Sequence, residues 1–95
     1  MNDDAIDQAI LSMLALARGR WRKVAMVTAR VADQMGKDLP AGDDRYDLVA
    51  QRAEALVLDG RLVAQGDIKK WRFSEVRRPN WAVRPAALSV IFHLN

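Results

Sequence analysis

No cysteine occurs among the 95 residues, only one histidine and three prolines are present, and aromatic side chains make up 6% of the chain. Without thiols there is no disulfide framework and no thiolate zinc or iron–sulfur centre, which suits a reducing, cytoplasmic setting. A single imidazole, His93, leaves no set of converging ligands for a metal site. Long apolar runs are also missing. The stretch AILSMLALA is nine residues long, against the ~20 that a membrane-crossing helix needs. The first residues, MNDDAIDQ, are acidic and lack the basic start of a signal peptide. No G-x-S-x-G elbow, P-loop or G-x-G-x-x-G occurs, and Ser12 and Ser89 sit inside apolar runs. With no nucleophile–base pair to name, neither catalysis, a cofactor nor a small-molecule substrate is expected.

What is present is enough for one domain. Half of the chain, 51%, is hydrophobic, so a core can form, although a chain of this length buries only about 60–65% of its unfolded surface. The predicted domain covers residues 1–95, with a core over about 3–78 and an apolar extension over 79–95. Net charge is +3, but it is unevenly placed. Residues 1–17 carry −3, 18–37 carry +5, 38–60 carry −4 and 61–84 carry +5.

The hydrophobic spacing gives three helices. Asn2 and Asp3 are N-cap types, and Ile6, Ile10, Met13, Leu14 and Ala17 form one apolar stripe, with Gly19 closing the helix. A second helix follows RWRK, with Val24, Val27, Val31 and Met35 inward and Gly36 beyond its end. After the loop KDLPAGDD, where Asp43 or Asp44 is the expected cap, a third helix runs over about 44–59. It turns Tyr46, Val49, Ala53, Leu56 and Val57 inward, and Gly60 ends it.

Beyond Gly60 the period changes. Residues 61–65 and 71–76 read as short strands joined by GDIKK. Alternation of Trp71 and Phe73 with Arg72 and Ser74 predicts an aromatic face that covers the core and a polar one. The order helix, helix, helix, strand, strand is that of a winged helix-turn-helix, an α+β fold that is mainly helical, here with a two-stranded wing. The stretch VLDGRLVAQGDIKKWRFSEVRRP resembles the end of an uncharacterised bacterial winged-helix domain, of the kind found C-terminal to a separate domain of unknown function. The similarity spans about residues 5–79 and is most specific from Gly60 through WRFSEVR. That resemblance implies the fold and no activity. The tail after Pro79 departs from the family's pattern.

Two readings of function follow. A groove-reading third helix normally brings Arg or Lys to the phosphates. Here the outward positions are Asp44, Asp47, Gln51, Glu54 and Leu58, with Arg45 and Arg52 expected to pair with Asp47 or Glu54. The first reading is therefore a non-catalytic module acting on a protein partner or on itself as a homodimer, through Leu88, Val90, Ile91 and Phe92 of the apolar tail. The second is a nucleic-acid binder whose wing carries Lys69, Lys70, Arg72 and Arg77 to phosphates. Arg20, Arg22 and Lys23 then support it, and Trp21 and Trp71 are available for stacking.

Overall fold

The computed structural model describes residues 3–79. Three helices carry the core: α1 (Asp3–Leu16), α2 (Val24–Met35) and α3 (Asp44–Leu58). Three short strands, β1 (Arg22–Lys23), β2 (Val63–Gln65) and β3 (Glu75–Arg77), form one antiparallel sheet in the order β1-β3-β2. The architecture is α+β and mainly helical.

The apolar stripes meet as their spacing requires. Ile6, Ile10 and Leu14 of α1, Val24, Val27 and Val31 of α2, and Val49, Ala53 and Leu56 of α3 are all buried. Leu62 and Val76 add the sheet to the same cluster. Its seal at the end of α3 is the Gly60 turn. Gly60 has φ +81 and its N–H donates to the Val57 carbonyl, while Arg61 N–H donates to that of Leu56. These two bonds satisfy carbonyls that a helix end otherwise leaves open, and they turn the chain into β2. A Cβ at position 60 would touch nothing within 4 Å, so Gly60→Ala carries only the left-handed backbone penalty, about 1 kcal/mol. Urea unfolding should show that loss with an unchanged slope.

Several expectations need correction. The sheet has a third strand, because Arg22–Lys23 pairs with β3 in the register Arg22↔Val76 and Lys23↔Glu75. Two residues carry no readable period, so this strand was invisible to alternation. The segment read as an aromatic strand is instead a 3-10 turn over Trp71–Phe73, and β3 begins at Glu75. Local bonds explain the change: Asp67 Oδ1 accepts from Lys69 N–H, Lys70 N–H donates to the Asp67 carbonyl, and Phe73 N–H to that of Lys70. Trp71 packs against the core, but Phe73 is 85% exposed. Helix α1 ends at Leu16, before Gly19, through a turn in which Arg18 takes φ +55. Asp43 occupies the N-cap of α3 without a side-chain capping bond.

Candidate functional site

Strand pairing sorts the basic residues between two faces. Residues directly opposite each other share a face, and neighbours along a strand alternate. Val76 is buried, so Arg22 and Ala64, its partners in β1 and β2, turn inward with it. Lys23, Glu75, Gln65, Val63 and Arg77 turn outward. On that outer face the Arg77 guanidinium lies 4.8 Å from the centre of the Trp21 ring, and Gln65 Nε2 donates to Glu75 Oε1 at 3.4 Å. Pairing of β1 with β3, reinforced by Val24 N–H donating to the Ser74 carbonyl at 3.0 Å, brings Lys23 onto the outer face with Arg77 and leaves Arg22 on the opposite one. Arg20 is exposed just before β1.

Lys69, Lys70 and Arg72 are exposed on the β2–β3 connection, but that connection does not project freely. Its 3-10 turn lies against α2, and Ile68 and Trp71 pack on the core. Lys69, Ile68 and Trp71 line a cleft of about 220 Å³ together with Asp47, Gln51 and Glu54 of α3. Lys69 therefore works beside two carboxylates. Arg72 stacks on the neighbouring Trp71 ring at 4.3 Å. Both tryptophans that were expected to offer open rings thus already hold an arginine over one face.

The outward face of α3 carries the residues expected there. Asp44, Asp47 and Gln51 are exposed, Glu54 is half-buried, and Leu58 is 79% exposed. No family model, curated protein or solved structure matches the chain. The geometry of these faces alone has to carry the functional argument.

Arg52 does not pair with Glu54 or Asp47 as expected. It reaches from α3 to α1, donating Nε–H to Asp7 Oδ1 at 2.9 Å and Nη2–H to Oδ2 at 2.8 Å. Asp3 lies 3.7 Å from the same guanidinium. Asp7 is only 6% exposed. The hydrogen bond to Asp7 is the main reason that Arg52 is held above its ordinary pKa. The pair is structural: it ties α3 to α1. Arg45, also misassigned, donates to the Pro40 carbonyl instead, at 3.0 Å.

A second concavity, absent from the sequence reading, lies between the end of α1 and α2. Met13, Leu16, Ala17, Arg22, Met26 and Arg30 line about 280 Å³, and Leu16 is 86% exposed. Its only trace in the sequence is that Leu16 is apolar yet falls off the stripe of Ile6, Ile10, Leu14 and Ala17. Leu88, Val90, Ile91 and Phe92 lie outside the described residues. Among the described residues, no three histidine, cysteine or carboxylate side chains are grouped to hold a metal, and no helix is long and apolar enough to cross a membrane.

Proposed function

We propose that the protein is a non-catalytic binding module of the winged-helix kind, related to the bacterial domains that its residues 57–79 resemble, and that it acts through protein contacts. The order of elements, α1-β1-α2-α3-β2-β3, supports the winged-helix assignment: a hairpin follows the third helix, and a short strand before α2 closes the sheet. One observation carries the choice of partner class. The face of α3 that would enter a DNA groove presents Asp44, Asp47 and Glu54 along its length, with Leu58 exposed at its C-terminal end. Duplex DNA carries one negative charge per ~1.7 Å of axis, and carboxylates within a Debye length of about 8 Å oppose it. A cationic, partly apolar protein surface meets the same face with complementary charge and covers Leu58.

Photo-crosslinking tests this directly. A benzophenone amino acid at position 58 in the full chain should give adducts in cells that protease removes and nuclease does not, and Asp47→Arg should suppress them. Adducts sensitive to nuclease would overturn the assignment.

A second reading rests on the β1–β3 pairing, which puts Lys23 on the same outer face as Arg77, next to the point where the connection bearing Lys69, Lys70 and Arg72 enters β3. These cations form the surface best suited to phosphates. On this reading Lys69→Glu/Lys70→Glu weakens binding equally for all sequences and lowers the salt slope by about 2. Fluorescence anisotropy of labelled duplex DNA at low and physiological salt checks it, and an unchanged slope sinks it.

A further inference from the structure

The residues that line the cleft between α1 and α2 are of two chemical kinds. Met13, Leu16, Ala17 and Met26 are apolar, Arg22 and Arg30 are cationic, and no carboxylate is among them. Helical spacing explains the grouping. Met13, Leu16 and Ala17 stand at i, i+3 and i+4 around the end of α1, Met26 and Arg30 at i and i+4 on α2, and Arg22 comes in from the inner face of β1. These two arginines differ from others in the domain. Arg45 and Arg52 bond to a carbonyl and a carboxylate, and Arg72 and Arg77 stack on tryptophan rings. Neither the Arg22 nor the Arg30 guanidinium has an ion pair, a hydrogen bond or a ring contact among the described residues. The carbonyls at the end of α1 do not claim them either. Those of Leu14, Ala15 and Ala17 already accept the N–H groups of Ala17, Arg18 and Arg20.

We propose that the cleft binds a small amphiphilic carboxylate, its charged head on Arg22 and Arg30 and its apolar body against Met13, Leu16 and Met26. Charge selects the head group. Two guanidiniums with no anion between them attract one, and the planar fork of each matches the two oxygens of a carboxylate. The apolar residues select the body, since methionine side chains adapt to irregular hydrocarbon partners. Size then limits the ligand. The cleft encloses about 280 Å³, just under the roughly 300–1,000 Å³ of pockets that take drug-sized molecules, and a closed cavity of about 150 Å³ already admits a benzene ring. One ring or a short alkyl chain fits with its head group, whereas a nucleotide or a helical peptide does not. A wholly apolar ligand would strip water from two guanidiniums without replacing its hydrogen bonds. A bare inorganic anion would leave Leu16, 86% exposed, and both methionines uncovered. This assignment is independent of what α3 binds.

The test titrates 4-phenylbutanoate into the full chain and follows the methionine methyl signals by NMR. Met13 and Met26 should shift along one saturating curve, while Met35, at the far end of α2 and outside the cleft, stays in place. Neutral 4-phenylbutanamide should bind about tenfold more weakly, the factor for losing a charge-assisted hydrogen bond. Inorganic phosphate at the same concentration should move neither methionine. Arg30→Gln should weaken the carboxylate by about tenfold and leave the amide unchanged. Leu16→Asp places a like charge beside the head group and should abolish carboxylate binding. Both side chains are exposed, so both variants should keep the native amide spectrum. Absence of saturating shifts at Met13 and Met26 overturns the proposal, as do equal affinities for acid and amide. Folded Arg30→Gln and Leu16→Asp proteins that bind like the native chain also overturn it. So does phosphate that competes at equal concentration, because the cleft then attracts any anion and the apolar wall plays no part.

Discussion

Arg52→Ala should lower the melting temperature by roughly 10–20 °C, given about 2–3 kcal/mol lost and the ~4–8 °C per kcal/mol of a domain this size. The figure comes from what the substitution leaves behind. Asp7 is buried between α1 and α3 and receives two short charge-assisted bonds from one guanidinium. Removing the partner of a fully buried pair costs about 3–5 kcal/mol, because the remaining charge has no water to replace it. The Arg52 side chain keeps 27% of its surface in solvent, so some water reaches the site and the loss falls to the bottom of that range or just below it, about 2–3 kcal/mol. Arg52→Lys keeps the charge but loses the planar fork, and an intermediate loss is expected. The pH behaviour follows from the direction of the shift. Arg52 binds its proton more tightly folded than unfolded, chiefly through the Asp7 hydrogen bond, so its contribution is complete at neutral pH and fades only as pH rises through the guanidinium range. Thermal unfolding followed by circular dichroism at pH 7 checks the prediction. A loss under ~0.5 kcal/mol, the level of an ordinary surface change, would show that the pair is ornamental.

That pair marks the limit of what local pattern reveals. Asp7 and Arg52 are 45 residues apart, and each has nearer partners of opposite charge in sequence. Asp7 resembles an ordinary acid in a first helical turn, and Arg52 an ordinary flank residue of α3. Only the packing of α1 on α3 makes them partners. The helices themselves were legible because Ile6, Ile10, Leu14 and their counterparts repeat with the helical period, and burial rewards that period wherever it runs for three turns. The outward face of α3 was legible for the same reason, since fixing Val49, Ala53 and Leu56 inward fixes the opposite side. The segment after Gly66 was not. Alternation of Trp71 and Phe73 with polar residues mimics a strand, but the Asp67 turn bends the backbone first, and Trp71 then reaches the core from a 3-10 turn. The same alternation would have buried Phe73, which the turn leaves in water.

Strand β1 has the largest consequence for the candidate site. The hairpin alone would hold its cations apart from those around Trp21. Pairing β1 with β3 joins the two groups, but the sheet's own alternation splits them again, with Arg22 lining the α1–α2 cleft and Lys23 and Arg77 outside. The basic charge is thus spread over the sheet and the connection, while the carboxylates of α3 are gathered on one face. The chain as a whole carries +3, but the outward face of α3 is acidic, and the sign of the charge there should decide what that face attracts.

Reversing that field gives the second large effect. The double substitution Asp47→Lys/Glu54→Lys should raise affinity for generic duplex DNA by about 10- to 100-fold at low salt, with the salt slope steeper by about 2. Both residues lie on the solvent side of α3, Asp47 fully and Glu54 in part, and neither is part of the Asp7–Arg52 lock, so the fold should hold to within about 0.5 kcal/mol. They also line the cleft that contains Lys69 and Trp71. Removing them frees Lys69 from two neighbouring anions and adds two cations where a groove-reading helix would carry them. If the acidity of α3 is what keeps the native chain from nucleic acid, the double variant gains binding that the native protein lacks, and anisotropy titrations of the two proteins at matched salt separate clearly. Equal titrations, with the variant folded, would mean that α3 never approaches the phosphates. Native binding that is already tight and steeply salt-dependent would mean that the cations of β1, β3 and the connection overcome the acids unaided, and the nucleic-acid reading would displace the protein-contact one.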